Sequence, residues 1–165
     1  MLLSKVLPIA YSALNQIAPH CHRAQIAGSI RRRKADVKDI EIVAIPKPWE
    51  SGLFENGLAE VVNQWEKVKG EMIYGKVRYT QRILPEGIKL DLFFATPENW
   101  GNIFAIRTGP AEYSANVLAA GWVARGYHSV DGMLRYNGHT VPLPEEEDLF
   151  KLLGMPFMPP DMRGV

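Results

Sequence analysis

The chain has 165 residues, 47% hydrophobic and 22% charged, which suits one globular unit or two small lobes sharing a core. A net charge of +1 excludes a globally basic nucleic-acid coat, and the single cysteine, Cys21, excludes an intrachain disulfide and points to a reducing compartment. No apolar run approaches the roughly 20 residues of a membrane helix, and the start MLLSKVLPIAYSAL lacks a basic leader and a cleavage site, so a monomeric, cytoplasmic protein with no membrane partner is expected.

In chain order, Val6, Leu7, Ala10, Ala13, Leu14 and Ile17 recur at helical spacing and predict a helix over 4–17. Pro8 suits its first turn and Pro19 its end. Residues 23–27 form a short strand candidate running into Gly28-Ser29, and the β-branched run DIEIVAI predicts a buried strand over 39–45, ended by Pro46. Phe54, Leu58, Val61, Val62 and Trp65 share one helical face across 53–68. Residues 77–84 and 88–95 read as a hairpin about Pro85-Glu86-Gly87. Helices follow over 97–107 and 110–125, then a hairpin at Asn137-Gly138 and a short helix over 145–153. The expected fold class is α+β, with one lobe over 1–106 and a smaller one over 107–165.

Charge is unevenly placed. Residues 1–40 hold seven cations (Lys5, Arg23, Arg31, Arg32, Arg33, Lys34, Lys38) against Asp36 and Asp39, a balance of +5, so the remainder carries −4. The centre of this region reads GSIRRRKADVKDIEIV. In a strand, Asp39 and Glu41 project from one face, about 7 Å apart at Cα, and like charges so close repel unless a cation intervenes. Asp91, in the apolar strand KLDLFF, joins them if that strand pairs beside DIEIV, about 4.8 Å away. Three convergent carboxylates suit one or two hard cations such as Mg²⁺. Gly28-Ser29, between a strand and a short helix, offers amides and a hydroxyl to phosphate, and the arginines add bidentate contacts. A metal–nucleotide complex is both cation and polyanion, which gives the mixed charges of this stretch one purpose.

These residues resemble the signature of nucleotidyltransferases of the DNA polymerase beta superfamily: Gly-Ser, a spacer, two acids one residue apart, and a third acid in a later strand. FAIRTGPAEYSANVLAAG, with GMLRYNGHTVPLPEEEDLFKLLGMPFMPPDMR, is similar to the thumb of family X DNA polymerases over about residues 104–163. The resemblance implies a palm, with a mixed or antiparallel sheet and helices on one side, followed by a small α+β thumb, and the minimal palm-plus-thumb form of the family. It implies that Asp39, Glu41 and Asp91 hold Mg²⁺ (or Mn²⁺), that Asp91 also helps deprotonate the primer 3′-hydroxyl, and that Gly28, Ser29 and Arg32 receive the triphosphate. Arg107, Thr108 and Gly109 fall where the family approaches the nucleotide sugar. The implied activity is DNA-directed DNA polymerisation of repair type, adding nucleotides from a nucleoside triphosphate to gapped or primer–template DNA. Two alternatives stand beside it: an adenylyltransferase acting on a small molecule or protein, and a catalytically weak DNA-binding relative. Glu41 stands where family X uses Asp, as aminoglycoside nucleotidyltransferases tolerate. Ile106-Arg107 replaces an aromatic pair.

Other features carry weaker signals. Lys76, Arg78 and Arg82 alternate along a strand and fit either a DNA backbone or a solvated face. His20-Cys21-His22 lacks zinc-ligand spacing. Trp49, Trp65, Trp100 and Trp122 read as core rather than stacking platforms, and Glu145, Glu146, Glu147 and Asp148 as helix-start acids.

Overall fold

A computed structural model describes residues 1–47, 57–70 and 79–164. The chain divides into two compact units, Met1–Phe94 and Ala95–Val165.

In the first unit, α1 (Leu3–Ile17) buries Val6, Ala10, Ala13 and Ile17, the one-sided spacing that drives an amphipathic helix onto a core. Pro8 lies in the second turn, not the first, so its missing N–H removes one helical hydrogen bond, to Ser4. Five strands follow: β1 (Cys21–Ile26), β2 (Asp39–Pro46), β3 (Glu66–Gly70), β4 (Tyr79–Ile83) and β5 (Lys89–Phe94). They form one mixed sheet in the order β1-β2-β5-β4-β3, with β2 and β5 parallel and the other neighbours antiparallel. Between them lie α2 (Gly28–Arg31) and α3 (Gly57–Asn63).

Strand alternation decides which side of this sheet is core. Ile40, Ile42 and Ala44 of β2 and Leu90 and Leu92 of β5 pack with α1, and with Leu58 and Val62 of α3, in one apolar cluster. Both helices therefore cover the same face, and the odd-numbered residues of β2 and β5 point from the other. The helix expected over 53–68 ends at Asn63; its earlier part, 53–56, lies outside the described residues, as does Trp49. Beyond Trp65 the chain enters β3, whose lysines suit a charged edge strand rather than a helix face.

The second unit begins earlier than the expected boundary after residue 106. Its first helix, α4 (Trp100–Thr108), sends Ala105 into a core with Leu149 and Phe150, and Gly101 N–H donates to the Leu143 carbonyl at 2.8 Å. Next come α5 (Ala111–Tyr113), a π-helical stretch Ser114–Ala119 and α6 (Ala120–Ala124). A three-stranded antiparallel sheet, β6 (His128–Val130), β7 (Met133–Tyr136) and β8 (His139–Val141), includes the hairpin at Asn137-Gly138. In α7 (Glu146–Leu152), Asp148 accepts from the Glu145 N–H at 3.0 Å, as helix-start acids do, but Glu146 turns inward. It pairs with the buried Arg163 at 3.1 Å, whose guanidinium lies over the rings of Phe150 and Phe157.

Trp65, Trp100 and Trp122 are buried, as core residues should be. Among the described residues no helix is long and apolar enough to cross a membrane.

Candidate active site

The parallel pairing of β2 with β5 sets Glu41 opposite Asp91 and Asp39 opposite Lys89. Paired residues share a face, so Asp39, Glu41 and Asp91 all stand on the face that α1 and α3 leave open. Burial raises the Asp39 carboxyl above its ordinary value and the Asp91 charge raises it further; the nearby Lys89 opposes both. The two aspartates therefore feel one another's charge. Asp91 is 8% exposed, and both hydrogen bonds it accepts among the described residues end on Oδ1: one from the Tyr79 hydroxyl, one from Gln81 Nε2 at 2.7 Å. Gln81 reaches it because β4 pairs Gln81 with Asp91, and Tyr79 with Phe93, on the same face.

Glu41 takes a different course. Gly28 has φ +60°, and a Cβ there would overlap Glu41 Oε2 and come within 2.5 Å of its Cδ, so the carboxylate lies directly over the glycine. The backbone holds the two together, with the Ala27 N–H donating to the Glu41 carbonyl at 2.8 Å. A glycine is needed here for both reasons, backbone and space. The neighbouring Ser29 Oγ is buried and finds no hydrogen-bond partner among the described residues. Burial weakens the hold of the Arg32 guanidinium on its proton, while the charges of Glu41 and then Asp39 oppose that shift. Arg32 thus feels the charges of Glu41 and Asp39, and Asp39 that of Asp91.

An all-oxygen set of three carboxylates on one face has the chemistry to take a hard divalent cation. The Ser29 hydroxyl, next in the chain to Gly28 and buried with no partner among the described residues, suits an incoming phosphate oxygen, because such a group is costly to leave unsatisfied. The acids do not stand in a ready-made cage: among the described residues no three His, Cys, Asp or Glu side chains group as a metal site. The Glu41 carboxylate lies over Gly28.

Arg107, Thr108 and Gly109 belong to the second unit and close α4. Arg107 is exposed; Thr108 is buried and its hydroxyl donates to the Phe104 carbonyl at 2.7 Å; Gly109 has φ +66°. Lys76 and Arg78 lie outside the described residues. Arg82 corrects the expectation of a strand face open to DNA. It is 4% exposed, on the helix-covered side of β4, donating to Thr80 Oγ1 at 3.1 Å and to the Trp65 carbonyl at 3.2 Å. A guanidinium spent on the interior does not track a phosphate backbone. Cys21 is buried and His22 exposed, so strand alternation separates the potential ligands there. Compared with known proteins, the chain matches no family model and no curated protein sequence.

Proposed function

We propose that the protein is a metal-dependent nucleotidyltransferase acting as a DNA-directed DNA polymerase of repair type, adding nucleotides at gaps in DNA. The observation that carries this reading is the register that sets Glu41 opposite Asp91, with Asp39 on the same open face and Gly28, which precedes Ser29, against Glu41. Acids for a cation and a seat for phosphate adjoin one another.

Asp39, Glu41 and Asp91 would hold Mg²⁺ or Mn²⁺, which when bound neutralises phosphate charge and eases ionisation of the attacking hydroxyl. Gly28 gives the Glu41 carboxylate room against the backbone, the Ser29 hydroxyl meets a phosphate oxygen, and the Arg32 fork adds charge-assisted bonds. Asp91 receives the proton of the primer 3′-hydroxyl. The 3′-oxygen bonds to the α-phosphorus in line with the departing group, the bond from that phosphorus to the bridging oxygen breaks, and pyrophosphate leaves with the electron pair. The thumb-like sequence of the second unit supports a duplex as acceptor.

Glu41 in the middle position favours a second reading, nucleotide transfer to a small molecule or protein. An α-labelled nucleoside triphosphate, incubated with Mg²⁺ and either a one-nucleotide-gapped duplex or no DNA, separates them. Label entering the primer strand only with the duplex supports the polymerase; label on protein or a small hydroxyl acceptor, with none on DNA, overturns it.

A further inference from the structure

Two side chains that the proposed chemistry does not use converge on one oxygen of Asp91. Tyr79 donates its hydroxyl, and Gln81 its amide, to Oδ1. A carboxylate only accepts hydrogen bonds, so the Gln81 group facing it must be the NH₂. Both donors are themselves fixed. Gln81 is buried beside Asp91, and the Tyr79 ring is stacked on Phe93, with centroids 5.0 Å apart and planes at 27°, while Lys69 Nζ lies 5.7 Å from its centroid. Together the two donors fix the plane of the Asp91 carboxylate and occupy one of its two equivalent oxygens. Held as it is, Asp91 has Oδ1 committed and Oδ2 to present.

We infer that Tyr79 and Gln81 are positioning residues that commit Asp91 to act through Oδ2 alone, towards a divalent cation and towards the attacking hydroxyl. The inference rests on the nucleotidyl-transfer reading for the hydroxyl, but for the cation it rests only on the carboxylate. Hydrogen-bond partners of ligating carboxylates set their orientation, and their loss weakens metal binding or activity by about 10–100-fold. The arrangement also bears on substrate handling. Ser29 and Arg32, which receive the triphosphate, are separate from the Tyr79–Gln81 pair, so disturbing the pair should slow the chemical step without loosening the nucleotide.

The test uses Tyr79→Phe, which keeps the ring, Gln81→Leu, which keeps the approximate volume, and their combination. Mn²⁺ affinity is read without nucleotide from the spectrum of the free aquo ion, with Asp91→Asn as reference. Single-nucleotide addition gives kcat and the KM for nucleotide, and thermal unfolding reports the fold. The expected result is Asp91-dependent Mn²⁺ binding by the wild type, weakened about 10-fold in each single variant. A matching fall in kcat is expected, with the KM for nucleotide within about twofold of the wild type, a split that a merely structural role would not produce. Mn²⁺ affinity and kcat within about twofold of wild type in the double variant would overturn the inference, as would wild-type Mn²⁺ binding that ignores Asp91. Should the double variant not fold, Tyr79→Phe alone decides by the same limits. If the wild type transfers no nucleotide yet Mn²⁺ binding weakens as described, the transfer reading falls and the positioning role stands. If the wild type transfers nucleotide and the variants match it, the positioning role falls and the transfer reading stands.

Discussion

Replacing Gly28 by alanine is expected to damage the site more than the fold. Two costs arise, and the structure separates them. The first is backbone strain: φ is +60°, a region where a side chain costs roughly 1–2 kcal/mol. The second is space. The new Cβ would overlap Glu41 Oε2 outright and stand 2.5 Å from its Cδ, and ordinary contact begins near 3.4 Å, so the carboxylate must retreat by at least about 0.9 Å. Glu41 is flexible at that end, so the retreat adds little to the stability cost, but a displacement near 1 Å in a reacting centre can cost about a hundredfold in rate. Gly87 supplies the control, because it has φ +83° with nothing within 4 Å of its Cβ position. Chemical denaturation should therefore show both alanine variants destabilised by roughly 1–2 kcal/mol. Nucleotide addition per folded molecule should fall about a hundredfold in Gly28→Ala only. Adding Glu41→Asp to Gly28→Ala shortens the displaced arm, and the pair should be non-additive by about 0.5–3 kcal/mol in a double-mutant cycle. Equal activity in the two alanine variants, or strict additivity with Glu41→Asp, would refute the close approach of Glu41 to Gly28 as a functional contact.

Other expectations test separate parts of the structure. The raised native value of Asp39 means that the folded protein binds that proton more tightly than the unfolded chain. Metal-free stability should accordingly rise as pH falls from above the native value towards the ordinary 3.8, and Asp39→Asn should flatten that limb in denaturation curves taken across pH. Burial pushes the Cys21 thiol up to about 11, so a disulfide reagent at pH 8 should label it only in denaturant. Arg82→Ala leaves the Trp65 carbonyl without its charged donor and should cost about 2–3 kcal/mol in chemical denaturation, with the salt dependence of any DNA binding unchanged.

Much of the first unit was legible because its signals are local. The β-branched run around Asp39 and Glu41 could only be a buried strand, and period-2 alternation put both acids on one face before any pairing was known. The place of Asp91 beside the other two acids needed one long-range assumption, that its strand lies beside β2, and the parallel register satisfies it. Tyr79 and Gln81 were missed, although a signal existed. Counting outward from the turn at Glu86 places Gln81 opposite Asp91, but a neutral polar residue in a strand draws no attention until its partner is known. Arg82 misled for the opposite reason: its charge suggested solvent, while parity put it on the helix-covered side, where the Trp65 carbonyl awaits a donor. Glu146 is similar, since its place among helix-start acids concealed an inward turn towards Arg163, seventeen residues away in the chain. β3 escaped because Lys67 and Lys69 break the apolar pattern that marks an interior strand, as edge strands do. The approach of the Glu41 carboxylate to Gly28 depends on side-chain length and local packing, which no spacing rule encodes.

The central claim is that Asp91 serves templated nucleotide addition rather than the fold. The most direct measurement follows a labelled primer in a one-nucleotide-gapped duplex, with each deoxynucleoside triphosphate in turn and Mg²⁺, for the wild type and Asp91→Asn. The expected result is one-nucleotide extension by the wild type, directed by the template base, and at least about a thousandfold less by the variant, because both a ligand charge and a proton acceptor are lost. The variant should unfold no earlier than the wild type, since removing one of two mutually repelling aspartates relieves the folded state. Near-normal extension by Asp91→Asn, or no extension by the folded wild type with any nucleotide, would contradict it.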